Sequence, residues 1–136
     1  MDKKWILGIS IVAIIAIFGI FKMIDSPTVT GNVVKSADKE FVMQSFTEIV
    51  DGKYFPKFSI KEITVKKGDR VRIKITNMKG THDFKIDEFN VYTETPLNQE
   101  AVVEFIADKP GKFEYYCSKT GHRQNGHWGT LIVNEN

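Results

Sequence analysis

Every imidazole and the single thiol of this 136-residue chain fall in two places: His82, and the stretch "YYCSKTGHRQNGHWG" (115–129) that holds Cys117, His122 and His127. Four residues separate Cys117 from His122, and four more separate His122 from His127. A thiolate and imidazoles together are ligands for a transition metal. Taken singly, each residue has a plainer reading. A lone buried cysteine is usually an inert small hydrophobe, and a lone histidine usually sits on the surface or in a satisfied core. A structural zinc site of Cys-His₃ type is one chemistry open to the set. Nucleophilic catalysis by Cys117 with a histidine base is a weaker one, because no oxyanion loop or third orienting group is evident. Which reading holds depends on the elements that must bring the four residues together.

Beyond residue 25 the chain reads as short strands. "RVRIKIT" (70–76) alternates without a fault, with Arg70, Arg72 and Lys74 on one face and Val71, Ile73 and Ile75 on the other, the pattern of a half-buried strand. The basic face is ordinary solvation of a strand and carries no partner by itself. "EFVMQSFTEIV" (40–50), "EITV" (62–65), "EAVVEFIAD" (100–108) and "WGTLIVN" (128–134) are further strands, and Lys67-Gly68-Asp69 and Lys109-Pro110-Gly111 are turns. "HDFKID" (82–87) puts His82, Phe84 and Ile86 on one face, and "KFEYYC" (112–117) does the same for Phe113, Tyr115 and Cys117. No stretch after residue 25 has helical periodicity of useful length. About seven short strands with turns between them predict an antiparallel sandwich. The methionines and most of the phenylalanines are expected in its core.

This phasing is what lifts the four residues above their plainer readings. His82 and Cys117 each lie on an apolar strand face, so they can meet at one end of a sandwich. His122 and His127 follow in the next loop, where Gly121, Gly126 and Gly129 allow tight turns and close approach to a bound atom. All the imidazoles and the thiol can therefore converge on one point.

Composition closes other routes. A net charge of +2 with no long block of one sign gives no footprint for nucleic acid. One cysteine cannot pair within the chain. Trp5 to Phe21 carries no charge and follows Lys3 and Lys4. That is the lower end of a membrane-spanning helix, with the N-terminus held in the cytoplasm. A cleaved signal is the rival, but its apolar region is shorter and no small-x-small site is evident. The expected plan is an anchor over 1–24, a polar linker over 25–38 and an extracytoplasmic all-β domain over 39–136.

"GTHDF" (80–84), then "GKFEYYCSKTGH" (111–122) and "GHWGTLIV" (126–133), resemble the cupredoxins, the family of plastocyanin and azurin, over about residues 40 to 134. The resemblance implies a Greek-key β-sandwich with one mononuclear copper at its end. It implies His82, Cys117 and His122 as the trigonal ligands, and Asp83 as a residue that hydrogen-bonds across to the thiolate loop. His127 stands where most members have a weak methionine ligand and some have glutamine, so it is expected as a fourth ligand, released by protonation in acid; the plainer reading turns it away to pack against Trp128 and leaves three ligands. Nitrosocyanin, a red copper relative, also ends its loop on histidine, but with a carboxylate in the set. Here His82 keeps its place, and Glu48 is only a faint candidate for such a carboxylate. The binuclear form of the fold needs a second loop cysteine, which is absent, and copper nitrite reductases need a second domain and further histidines. The implied function is electron transfer between redox partner proteins, expected to be membrane respiratory complexes, rather than catalysis. A copper redox enzyme or nitrosocyanin-like small-ligand site, and a non-redox zinc or copper module, are the alternatives.

Overall fold

The computed structural model describes residues 39–135. The expected anchor and linker lie outside the described residues. The described strands are β1 (Lys39–Val50), β2 (Lys53–Phe58), β3 (Glu62–Lys66), β4 (Arg70–Lys79), β5 (His82–Ile86), β6 (Val91–Thr95), β7 (Glu100–Ile106), β8 (Gly111–Tyr116) and β9 (Trp128–Asn134), with a 3₁₀ turn at Asp87–Phe89. They form two sheets, ordered β2-β1-β4-β7 and β3-β9-β8-β5-β6.

The expected strands are all present, and β2 and β6 are added to them. The pairing is not purely antiparallel: β1 runs parallel to β4, and β3 runs parallel to β9. The chain crosses from one sheet to the other after β2, and again between β3 and β4. Both parallel pairs join strands that are not consecutive in the chain, as a parallel pair must, whereas β1 and β2 are joined by a hairpin and run antiparallel.

Alternation sets the two faces of each strand. Val71, Ile73 and Ile75 on β4 are wholly buried, and they meet Met43, Phe58, Ile63, Phe84, Tyr115 and Leu131 in one core. The opposite face of β4 is a charged ladder. Arg72 bridges Glu40 and Glu104, and Lys74 Nζ donates to Glu40 at 2.9 Å. Such exposed pairs contribute roughly 0–1 kcal/mol each, so burial of the inner face holds the sheets together. The aromatic expectation is met in part. Phe58, Phe84 and Phe105 are buried, while Phe55 is exposed on the β1–β2 hairpin. Met43 is in the core, but Met78 is exposed, because alternation gives it the outward phase of Arg72 and Lys74 on β4. Tyr115 fits only because residue 129 has no side chain, since a Cβ there would lie 2.3 Å from the Tyr115 ring. That glycine therefore serves core packing, not approach to a bound atom.

Candidate metal centre

His82 opens β5, where alternation turns its side chain inward beside Phe84. The turn before it is built by Asn77, whose amide donates to the carbonyls of Gly80 (2.9 Å) and Thr95 (2.7 Å) while its oxygen accepts from the Lys79 N–H (3.1 Å). This presents the Lys79 carbonyl to His82 Nε2 at 2.8 Å. A carbonyl only accepts, so Nε2 carries the proton and Nδ1 keeps its lone pair. The Thr47 hydroxyl lies 3.2 Å from the same Nε2. Gly80 is needed here: its φ is +106°, and a Cβ would stand 2.6 Å from His82 Nε2.

Cys117 follows the last residue of β8 and is buried. The loop after it folds back on itself. The Cys117 N–H donates to the His127 carbonyl (3.0 Å), and the His127 N–H donates to the His122 carbonyl (3.0 Å). The Lys61 ammonium clamps the far side of the loop, donating to the carbonyls of Gly126 (2.8 Å) and Trp128 (3.0 Å). Asp83 ties β5 to this loop. Its carboxylate accepts from the Ser118 N–H (2.5 Å) and hydroxyl (2.6 Å), and its own N–H donates to Cys117 Sγ at 3.5 Å.

The four residues do converge. One donor atom from each of His82, Cys117, His122 and His127 lies within 4.8 Å of the others. His122 Nδ1 is 3.2 Å from His82 Nδ1 and 3.4 Å from Cys117 Sγ. His127 is inside the cluster rather than packed on Trp128. Its ring centroid lies 4.1 Å from that of Phe58 and 4.5 Å from that of His82, while Trp128 is 44% exposed. Glu48 takes no part, and pairs instead with Lys57 on the exposed hairpin.

Burial sets the protonation of the metal-free site. It pushes the Cys117 thiol up to about 11, despite hydrogen bonds that favour the thiolate. It pushes His127 down to about 2, helped by the neighbouring His82 and His122. Burial also lowers His82 and, less enclosed, His122. Through the mildly acidic range His127 therefore stays neutral in the metal-free site. What the sequence did not reveal is the support from β1. Ser45 Oγ lies 3.1 Å from His127 Nε2, across 82 residues of chain.

The site fits a metal on its own terms. His127 Nδ1 is buried and has no hydrogen-bond partner among the described residues, so a donor atom stands unused beside a thiol and two further imidazoles. A model for the cupredoxin-like domain family matches residues 10–133, and the chain belongs to that family. Nitrous-oxide reductase of Cupriavidus necator is 41% identical over 84 residues, covering 59% of this chain and 13% of that protein. The enzyme of the same name from Stutzerimonas stutzeri is 40% identical over 67 residues, covering 46% and 10%. The chain thus spans about a tenth of the curated relatives it matches. Among solved structures, a copper nitrite reductase from Nitrosomonas europaea superposes with a TM-score of 0.61 at 20% identity, over 71% of this chain and 41% of that one. Auracyanin from Roseiflexus castenholzii superposes with a TM-score of 0.59 at 18% identity, over 72% and 98%. At such identities these two structures show the fold alone. Family and donor set together indicate copper as the cofactor.

Proposed function

We propose that this chain is a membrane-tethered, extracytoplasmic electron carrier in which His82, Cys117, His122 and His127 hold one copper ion. The observation that carries it is the graded enclosure of a compact donor set. Cys117 and His127 are wholly buried and His82 nearly so, while His122 alone is part-exposed. Copper bound there supplies a one-electron couple. The protein's part is to hold the donors still. The Lys79 carbonyl fixes His82, the closed loop fixes Cys117, and the two packed sheets fix both, so the ligand set changes little between oxidation states.

His122 borders a groove of about 450 Å³ lined by Thr47, Tyr54, Pro56, Gly80, Thr81 and Asn125. A redox partner seated there would approach the donor set through the His122 ring. Exposed Ile49 and Tyr54 on the neighbouring hairpin give that approach apolar contact area. Because the other three donors face protein, transfer through the ring is favoured over binding of a substrate to the metal. The activity of the nitrous-oxide reductases does not carry over to a chain that matches about a tenth of them. The uncharged run from Trp5 to Phe21 behind two lysines supports the tether, with the copper domain outside and membrane respiratory complexes as partners.

The test is copper loading of the full-length protein. It should take up one copper per chain, show a thiolate-to-copper charge-transfer band, and cycle reversibly with no spectral response to azide or nitric oxide. A perturbed spectrum with those ligands would transfer the site to the small-ligand reading. A colourless product would leave the non-redox module. Full-length protein that resists carbonate extraction from membranes would support the tether, and a mature N-terminus near Ser26 would refute it.

A further inference from the structure

Ser45 lies on β1, in the sheet that carries none of the four donors. It and His127 are both wholly buried. Ser45 Oγ is 3.1 Å from His127 Nε2, and the other ring nitrogen, Nδ1, is buried with no hydrogen-bond partner among the described residues. A neutral imidazole has one N–H and one lone pair, and the hydrogen bond at one nitrogen fixes which is which. A proton on Nδ1 would leave a buried N–H with no acceptor, which is an unpaired donor removed from water. A proton on Nε2 instead goes to the serine oxygen and leaves the Nδ1 lone pair free. Beside this pair, Thr47 meets His82 Nε2 at 3.2 Å, but there the Lys79 carbonyl already fixes the tautomer. For His127 the serine hydroxyl stands where that carbonyl does. Ordinary alternation along β1 turns Ser45 inward on the same face as Met43.

We infer that Ser45 is a positioning residue for the metal centre: its hydroxyl accepts the Nε2–H of His127, fixes the ring, and so presents Nδ1 as the fourth donor. This rests on the copper reading for the use of the lone pair, but the tautomer is a property of the metal-free protein. Without the hydroxyl, the ring is free to exchange tautomers and to turn, and the fourth donor is lost part of the time. The strength of the bond from His127 to copper is then set by a residue of the opposite sheet.

The experiment has a metal-free arm and a copper arm, both on the full-length protein. In the first, ring ¹⁵N shifts of His127 are measured by NMR. Wild type should show the Nε2–H tautomer alone, Ser45→Thr should keep it, and Ser45→Ala should give a mixture. In the second, Ser45→Ala should move the charge-transfer band to longer wavelength and raise the potential, in the same direction as His127→Met. In the His127→Met background the same change should have no further effect. A wild-type Nδ1–H tautomer would overturn the inference even if no variant folds. So would a Ser45→Ala protein with the wild-type tautomer and band, or an equal effect of Ser45→Ala in both backgrounds. A wild type that binds no copper would defeat the copper reading, while the ring shifts would still decide the role of Ser45.

Discussion

The two sheets contribute to the metal centre in different ways. The five-stranded sheet supplies the donors: His82 begins β5, Cys117 follows β8, and the loop into β9 brings His122 and His127. The four-stranded sheet supplies no donor, yet β1 sends two hydroxyls, from Ser45 and Thr47, to two of the imidazoles. His122 receives neither, and it is the least enclosed of the four. One sheet therefore decides what can bind, and the other decides how firmly two of the rings are held. The opposite sheet stands to a buried ring as outer-shell partners stand to metal ligands in general.

Changes on the donor sheet should have the largest effects. Cys117→Ser should abolish the charge-transfer band while the domain stays folded, as circular dichroism would show, because the core does not depend on the metal. In wild type, burial keeps the thiol protonated up to about 11 and the imidazoles are neutral at pH 8, so copper uptake there should release about one proton. Calorimetry in buffers of different ionisation enthalpy counts it, and the serine variant should release none.

His127→Met should come next. Imidazole is a stronger donor to Cu(II) than thioether, so methionine should give a bluer protein with a higher potential. Each shift of about 59 mV is a tenfold change in the preference for Cu(I). Identical spectra and potentials in the two proteins would show that His127 does not bind.

Gly80→Ala tests the turn that aims His82. The new Cβ would stand 2.6 Å from Nε2, on a backbone with φ of +106°. Destabilisation of roughly 1–3 kcal/mol is expected from the strain, together with weaker copper binding. Urea unfolding and a copper titration would measure both. Unchanged copper affinity would show that the turn does not control the ring.

The pH response should be smaller at any one step. Burial lowers the folded-state pKa of all three histidines, that of His127 to about 2. Below about pH 6.5 the unfolded chain therefore holds more protons than the folded one. The stability of the metal-free domain is fully present above that pH and declines as pH falls towards the folded values. His127 alone should contribute a slope on the order of 1 kcal/mol per pH unit. Urea midpoints between pH 7 and 5 would follow it, and His127→Met should flatten the decline. Smallest of all should be Thr47→Val, below about 1 kcal/mol, since the Lys79 carbonyl still holds His82. A large change in the copper spectrum of that variant would give the hydroxyl a share in aiming the ring.

The donor sheet was readable from the sequence and its support was not. Alternation gave β4 its buried Val71, Ile73 and Ile75, and placed His82 and Cys117 on inward faces, because side-chain period is a local property of a strand. β2 escaped notice because Pro56 interrupts it and its outer residues Tyr54 and Phe55 are exposed, although Asp51-Gly52 marked the turn before it. Ser45 and Thr47 carry no signature at all. A hydroxyl on a strand acquires its role only when another sheet closes over it, and here the partner is 82 residues away for Ser45 and 35 for Thr47. The parallel pairings were missed for the same reason, since they join segments that local pattern cannot connect.

The place of β9 has a consequence in time. It lies between β3 and β8, yet it is the last of the described strands in the chain. During synthesis, β3 and β8 emerge with facing edges that nothing occupies, and exposed edges of this kind invite wrong partners. The bond from the Cys117 N–H to the His127 carbonyl also waits for the residues that lead into β9. The nascent chain thus carries a reactive thiol, with two of its imidazole neighbours still unplaced, until translation has passed Trp128. Metal delivered earlier would meet a half-built site, so copper loading should follow the emergence of β9.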